Sequence, residues 1–220
     1  MISTQENMTD VYNYIHEFFN NEIRYTFPYD RKHLKEITDS NGLYVLFEKG
    51  EKHNELDRIV RIGSHDGDNN LIKRLGHHFM KDNHRGSVFR KHIGRCFLNI
   101  EGDQYLEHWN RPFKSRLEKE VHREYVNLEY EKKFEDMVTS HIHNKLSFVL
   151  IPKIYDKLQR DRIEEGLISS LNQSNLKTSS GNWLGNFHPD HRIRNSKIWN
   201  IEYLKHQPLD INEFRELIEN

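Results

Sequence analysis

One cysteine, Cys96, in 220 residues leaves no partner for an internal disulfide and too few thiolates for a zinc site built on two or more. No apolar stretch approaches the roughly 18 residues that a membrane span requires. The first ten residues show no basic segment followed by an apolar one, so no secretory leader is expected and a reducing, cytoplasmic setting is. Nothing repeats at a fixed period. Apolar residues are also scarce: the hydrophobic fraction is 35% and the charged fraction 30%, against about 45–50% and about 25% in ordinary globular chains. Such scarcity signals disorder only where aromatics are missing too. Twelve Phe, ten Tyr and three Trp point instead to a folded, soluble, heavily charged protein.

Net charge is −1, and its distribution says more than its sum. Residues 1–60 hold eleven acids and seven bases, whereas residues 71–95 hold seven bases (Lys73, Arg74, Lys81, Arg85, Arg90, Lys91, Arg95) and one acid, Asp82. Four histidines (His77, His78, His84, His92) lie in the same block. A basic run is most often a solvated face. Here its density makes a local site for a polyanion a serious candidate.

Val11, Tyr14, Ile15, Phe18 and Phe19 follow helical spacing, which predicts a helix over 6–24. Asn41-Gly42 is a turn signal before the strand Leu43–Phe47. The charged stretch Lys49–Asp57 reads as a loop, Ile59–Ile62 as a second strand, and Leu71, Leu75 and Phe79 as one face of a helix. Leu146–Ile151 forms a third strand, stopped by Pro152, and residues 156–172 a further helix. Asp210 with Glu213 marks the start of a short last helix. Phe113, Leu117, Val121 and Tyr125 recur every four residues inside a charged segment, 99–145, that reads as a helical insertion. The expected architecture is a single α+β domain: an N-terminal helical extension (1–39), a core (40–98 and 146–200) around a small three-stranded antiparallel or mixed sheet, the insertion, and a C-terminal helix (201–220).

Gly42-Leu43-Tyr44 on the first strand, Arg61-Ile62-Gly63 ending the second, Arg74 and His78 one helical turn apart, and Glu164 on a later helix follow one another in order. With Asn182-Trp183-Leu184-Gly185 and Lys197-Ile198-Trp199 they resemble the GIY-YIG nuclease superfamily, closest to its stand-alone restriction-endonuclease-type members, over roughly residues 40–200. Each residue also has an ordinary reading: Tyr44 as a core residue with a satisfied hydroxyl, Arg74 in a surface salt bridge, His78 exposed or half-buried. Glu164 and Glu165 separate by geometry. At about 100° per residue, Glu164 falls within the arc of Ile163, Leu167 and Leu171, and Glu165 outside it. A carboxylate inside a buried face is costly unless it is paired or binds a metal. Two departures stand out: Arg61 replaces the usual Tyr of the second tripeptide, and the stretch between the tripeptides is long.

The resemblance implies a metal-dependent DNA endonuclease, of type II restriction kind, using Mg²⁺ or Mn²⁺. Glu164 is expected to hold the metal, Arg74 and Arg61 to meet the phosphate, Tyr44 with His78 to activate water, and Asn182 to support Glu164 or the phosphate. Lys73, Lys81, Arg85, Arg90, Lys91, Arg95, Arg192 and Arg194 are the expected contacts to double-stranded DNA, and the insertion is the expected place for reading bases. A homodimer is compatible with a palindromic site. His141 with His143, and His188 with His191, are too few for a zinc site and are expected at the surface. The alternatives are a repair, recombination or mobile-element nuclease, a nucleic-acid-binding module with impaired catalysis, and an interaction protein unrelated to nucleic acid.

Overall fold

The computed structural model describes residues 4–219. In chain order the elements are α1 (Thr4–Asn21), β1 (Tyr25–Thr26), α2 (Arg31–Thr38), β2 (Gly42–His53), β3 (Leu56–Gly63), α3 (Leu71–Phe79), α4 (Val88–Ile100), α5 (Arg116–His122), α6 (Leu128–Lys145), β4 (Leu146–Pro152), α7 (Lys157–Gln173), α8 (His191–Ser196) and α9 (Ile211–Phe214). The fold is α+β, and the sheet is antiparallel in the order β1-β4-β2-β3. The two-residue β1 adds a fourth strand to the three expected. No helix among the described residues is long and apolar enough to cross a membrane.

Alternation along β2 splits the apolar residues between two faces. Tyr44 and Leu46 face a core completed by Leu71, Leu75 and Phe79 of α3, Phe89 and Ile93 of α4, and Val138 of α6. Leu43, Val45 and Phe47 face a second core with Val11, Ile15 and Phe19 of α1 and Ile163, Leu167 and Leu171 of α7. Helix α1 is thus a wall of the core rather than an appendage. The insertion carries a small core of its own, Leu98, Trp109 and Phe134.

Two expectations fail here for identifiable reasons. The charged stretch 49–57 is the end of a β-hairpin, not a loop. Its inward positions are polar: Glu51 pairs with Arg58 at 2.7 Å, both buried, and Oε1 of Glu51 also accepts from the Ser180 hydroxyl. Hydrophobic periodicity cannot register a strand whose buried side chains are charged. The four-residue apolar repeat of the insertion is the converse case. Its helix, α5, spans only Arg116–His122, and Leu117 and Val121 are exposed.

The free edge of β3 is covered by residues 197–200. Trp199 N–H donates to the Val60 carbonyl at 2.7 Å, and the Asn200 side chain bonds both the N–H (3.1 Å) and the C=O (2.9 Å) of Ile62. An open strand edge beside the site is thereby closed.

Candidate active site

Tyr44 and Gly63 are directly opposed across β2 and β3. A Cβ on Gly63 would fall inside the Tyr44 phenol, so the ring lies over this position because it has no side chain. Gly42 is constrained differently: its φ of +134° and its approach to the Ile151 carbonyl admit no side chain. Both glycines of the motif thus have a steric reason. Gly63→Ala is expected to displace the phenol and lower any activity that depends on it by roughly 100-fold or more, the lower bound for a general base. Cleavage rate beside a thermal melt checks this, and a wild-type rate would contradict it.

The Tyr44 hydroxyl is 2.8 Å from Nε2 of His78 on α3, and Arg61 Nε donates to it at 3.5 Å. Nδ1 of His78 is 2.7 Å from the Ser87 hydroxyl. Tyr44 and His78 are wholly buried, and Arg61 is 7% exposed. Burial first, then the charges of Arg61, Arg74, His77 and Arg90, hold His78 well below its ordinary value, so it is neutral. Arg61 is not a free phosphate contact. Its Nη1 donates to the Trp199 carbonyl at 2.9 Å, and its guanidinium lies 5.1 Å from the centre of the Phe89 ring.

Glu164 is half-buried on α7, and its carboxylate accepts from the Ser64 hydroxyl, one residue past Gly63. Burial raises its pKa, partly offset by that hydrogen bond and by Arg61 and Arg74. The neighbouring Glu165 instead meets His206 at 3.2 Å. Arg74 is half-buried, and its side chain makes no hydrogen bond or ion pair among the described residues. Its charge acts on both Glu164 and His78. Tyr44, Arg61, Arg74, His78 and Glu164 therefore converge at one end of the sheet.

Asn182 does not join them. It is exposed, in the turn just before Trp183, whose indole donates to Glu48 far along β2. The asparagine beside the site is Asn200, pinned to Ile62. Sequence reasoning passed over it, although it directly follows Lys197-Ile198-Trp199. Ser64 and Ser87 were missed as well. Ser64 alone carried a signal, its place directly after Arg61-Ile62-Gly63.

The expected DNA contacts divide. Arg90 is wholly buried, bound to Glu135 (2.7 Å), Thr139 (2.6 Å) and the His78 carbonyl (3.0 Å). Arg85 is bidentate to Glu131 at 2.5 and 2.7 Å. Arg192 pairs with Asp190, and Arg194 donates to the His188 and Pro189 carbonyls. Arg85, Arg90 and Arg194 are spent inside the protein, and Arg192 is exposed but paired with Asp190. Lys73 and Lys81 are exposed, and Lys91 and Arg95 half-buried. Burial and then the charges of Lys81, Arg74, Lys73 and Lys114 hold His77 below its ordinary value. Lys114, from the insertion, is an addition.

Of the paired histidines, His191 is exposed as expected, but the other three are not simple surface residues. His141 lies 3.2 Å from buried Glu48, His143 stacks on Phe27, and His188 is buried against His92 at 3.0 Å. Among the described residues no group of three or more His, Cys, Asp or Glu could hold a metal ion. The donors at the site are one carboxylate and one hydroxyl. That set is wrong for zinc and fits Mg²⁺, which retains most of its waters. A carboxylate that burial holds against ionisation is also a group whose charge a cation would stabilise.

The family model of the GIY-YIG domain matches residues 2–220. No curated protein and no solved structure gives a match.

Proposed function

The chain belongs to the GIY-YIG family of nucleases, and from that premise we propose that it is a metal-dependent DNA endonuclease of type II restriction kind. The observation that carries the reading is the convergence of Tyr44, His78 and Arg61 with Glu164 and the unpaired Arg74. These are the groups that hydrolysis of a phosphodiester needs: a base, a cation for the phosphate and a carboxylate.

Arg74 meets the scissile phosphate and stabilises the charge that builds on its oxygens. Its side chain has no partner among the described residues, which leaves it available to the phosphate. Tyr44 takes the proton of the attacking water, supported by His78 and Arg61. Because Tyr44 and His78 are enclosed in the free protein, DNA binding has to open the site to water. Glu164, with Ser64, would hold Mg²⁺ or Mn²⁺; when bound, the ion supplies Lewis-acid stabilisation at the phosphate and the leaving 3′ oxygen. Arg61 stands where the family usually has Tyr, and its Nε points at the Tyr44 hydroxyl. That contact favours a redistribution of roles over impaired catalysis.

Lys73, Lys81, Lys91 and Lys114 grip the backbone of double-stranded DNA. The exposed α5, with Leu117 and Val121 outward, is placed to read bases. Two copies on a palindrome would cut both strands. Sequencing the ends of digested plasmid DNA tests the assignment. The expected result is one short sequence at every end, with both strands cut at fixed positions. Scattered ends would refute the restriction reading, and no cleavage with any divalent ion would refute the nuclease reading.

A further inference from the structure

The hydrogen-bond chain behind Tyr44 does not end at His78. Ser87 is the N-cap of α4, its Oγ accepting from Arg90 N–H at 3.1 Å, and it is buried. Two hydroxyls therefore flank one imidazole: Ser87 at 2.7 Å from Nδ1 and Tyr44 at 2.8 Å from Nε2. A neutral imidazole has one N–H and one lone pair, so it accepts from only one of them. Its burial among Arg61, Arg74 and Arg90 keeps it neutral.

The protons can be counted. Ser87 O–H, Tyr44 O–H and the imidazole N–H bring three protons to two links, leaving one over. If His78 accepted from Tyr44, the surplus proton would sit on Ser87, enclosed, with no other acceptor around it among the described residues. If His78 accepts from Ser87, its Nε2–H points at the Tyr44 oxygen, which Arg61 Nε–H also approaches at 3.5 Å. The surplus proton is then Tyr44's own. It is as enclosed as the Ser87 proton would be, but the Tyr44 oxygen faces two donors, His78 Nε2–H and Arg61 Nε–H, so giving this proton up leaves one proton in each link.

We infer that Ser87 is a positioning residue that fixes His78 as the Nε2–H tautomer, making His78 a donor to the Tyr44 oxygen rather than the base that takes its proton. The consequence for catalysis rests on the nuclease reading. Tyr44 gives its proton to solvent before the chemical step. The phenolate then takes a proton from the attacking water as the water oxygen bonds to phosphorus. The bond to the 3′ oxygen breaks, and its electron pair leaves with that oxygen. His78 keeps its proton throughout.

The assignment is tested on the wild-type protein without DNA, by long-range ¹H–¹⁵N spectra of ¹⁵N-histidine-labelled material. The His78 signals are identified by their loss in His78→Gln. The expected pattern is a protonated Nε2 and an unprotonated Nδ1, and a protonated Nδ1 overturns the inference. Ser87→Gly removes the hydroxyl while keeping a residue that N-caps tolerate. It is expected to lower cleavage at neutral pH roughly tenfold, the scale of one hydrogen bond, and to move the rising limb of the pH profile to higher pH. Ser87→Thr, which restores hydroxyl and cap, should return both. A folded Ser87→Gly with the wild-type profile would overturn the inference. The spectrum needs no cleavage, so an inactive protein would refute the nuclease reading and leave the tautomer to be decided separately.

Discussion

Replacing Glu135 by alanine should cost about 3–5 kcal/mol of stability, the range for breaking a buried ion pair by removing one partner. Glu135 accepts from Arg90 at 2.7 and 3.1 Å and from His84 Nδ1 at 2.7 Å. Without it, Arg90 remains wholly buried, with the half-exposed Asp82 at 3.6 Å as its nearest acid. For a chain of this size the loss corresponds to a melting temperature lower by about 6–20 °C. Burial opposes the charge on Glu135, but the His84 hydrogen bond and Arg90 outweigh it and hold its pKa below the ordinary value. A depressed carboxyl pKa contributes stability above the unfolded value, and that contribution is lost as pH falls through the folded value. The difference in melting temperature between Glu135→Ala and wild type should therefore shrink at acid pH. A Glu135→Ala protein that melted with wild type at pH 7 would contradict the pairing.

This buried network explains why charge counting along the sequence overstated the DNA-binding face. The bases of residues 71–95 form a dense block, but Arg85 and Arg90 are neutralised by Glu131 and Glu135, about 45 residues away on α6. Pairing at that distance leaves no local trace. Glu164 was legible from its helical angle, whereas Tyr44, Gly63 and Arg74 were legible through the ordered tripeptides and helix spacing that carry the family resemblance. Asn200 was not, because its role depends on chain 138 residues on lying along β3. The Glu51–Arg58 hairpin was misread for a related reason, since its inward face is ionic. Ser64 and Ser87 are ordinary residues whose importance lies in one contact to Glu164 for the first, and in contacts to His78 and the Arg90 N–H for the second.

Glu164→Gln should abolish cleavage without weakening the fold, and that divergence marks a functional carboxylate. Burial raises the pKa of Glu164, so the folded state favours its protonated form. At neutral pH the ionised group then costs stability rather than adding it. A neutral amide of the same shape removes that cost, and the melting temperature should stay level or rise. Activity should move the other way. Gln keeps an oxygen for Ser64 but loses the charge that would hold a divalent ion. The several kcal/mol of charge stabilisation such an ion supplies correspond to roughly 10³-fold in rate. The direct measurement is the conversion of supercoiled plasmid by wild type and by Glu164→Gln in Mg²⁺, with melting curves of both. The account predicts cut plasmid with wild type, uncut plasmid with Glu164→Gln, and two folded proteins; Glu164→Gln cutting at the wild-type rate would contradict it.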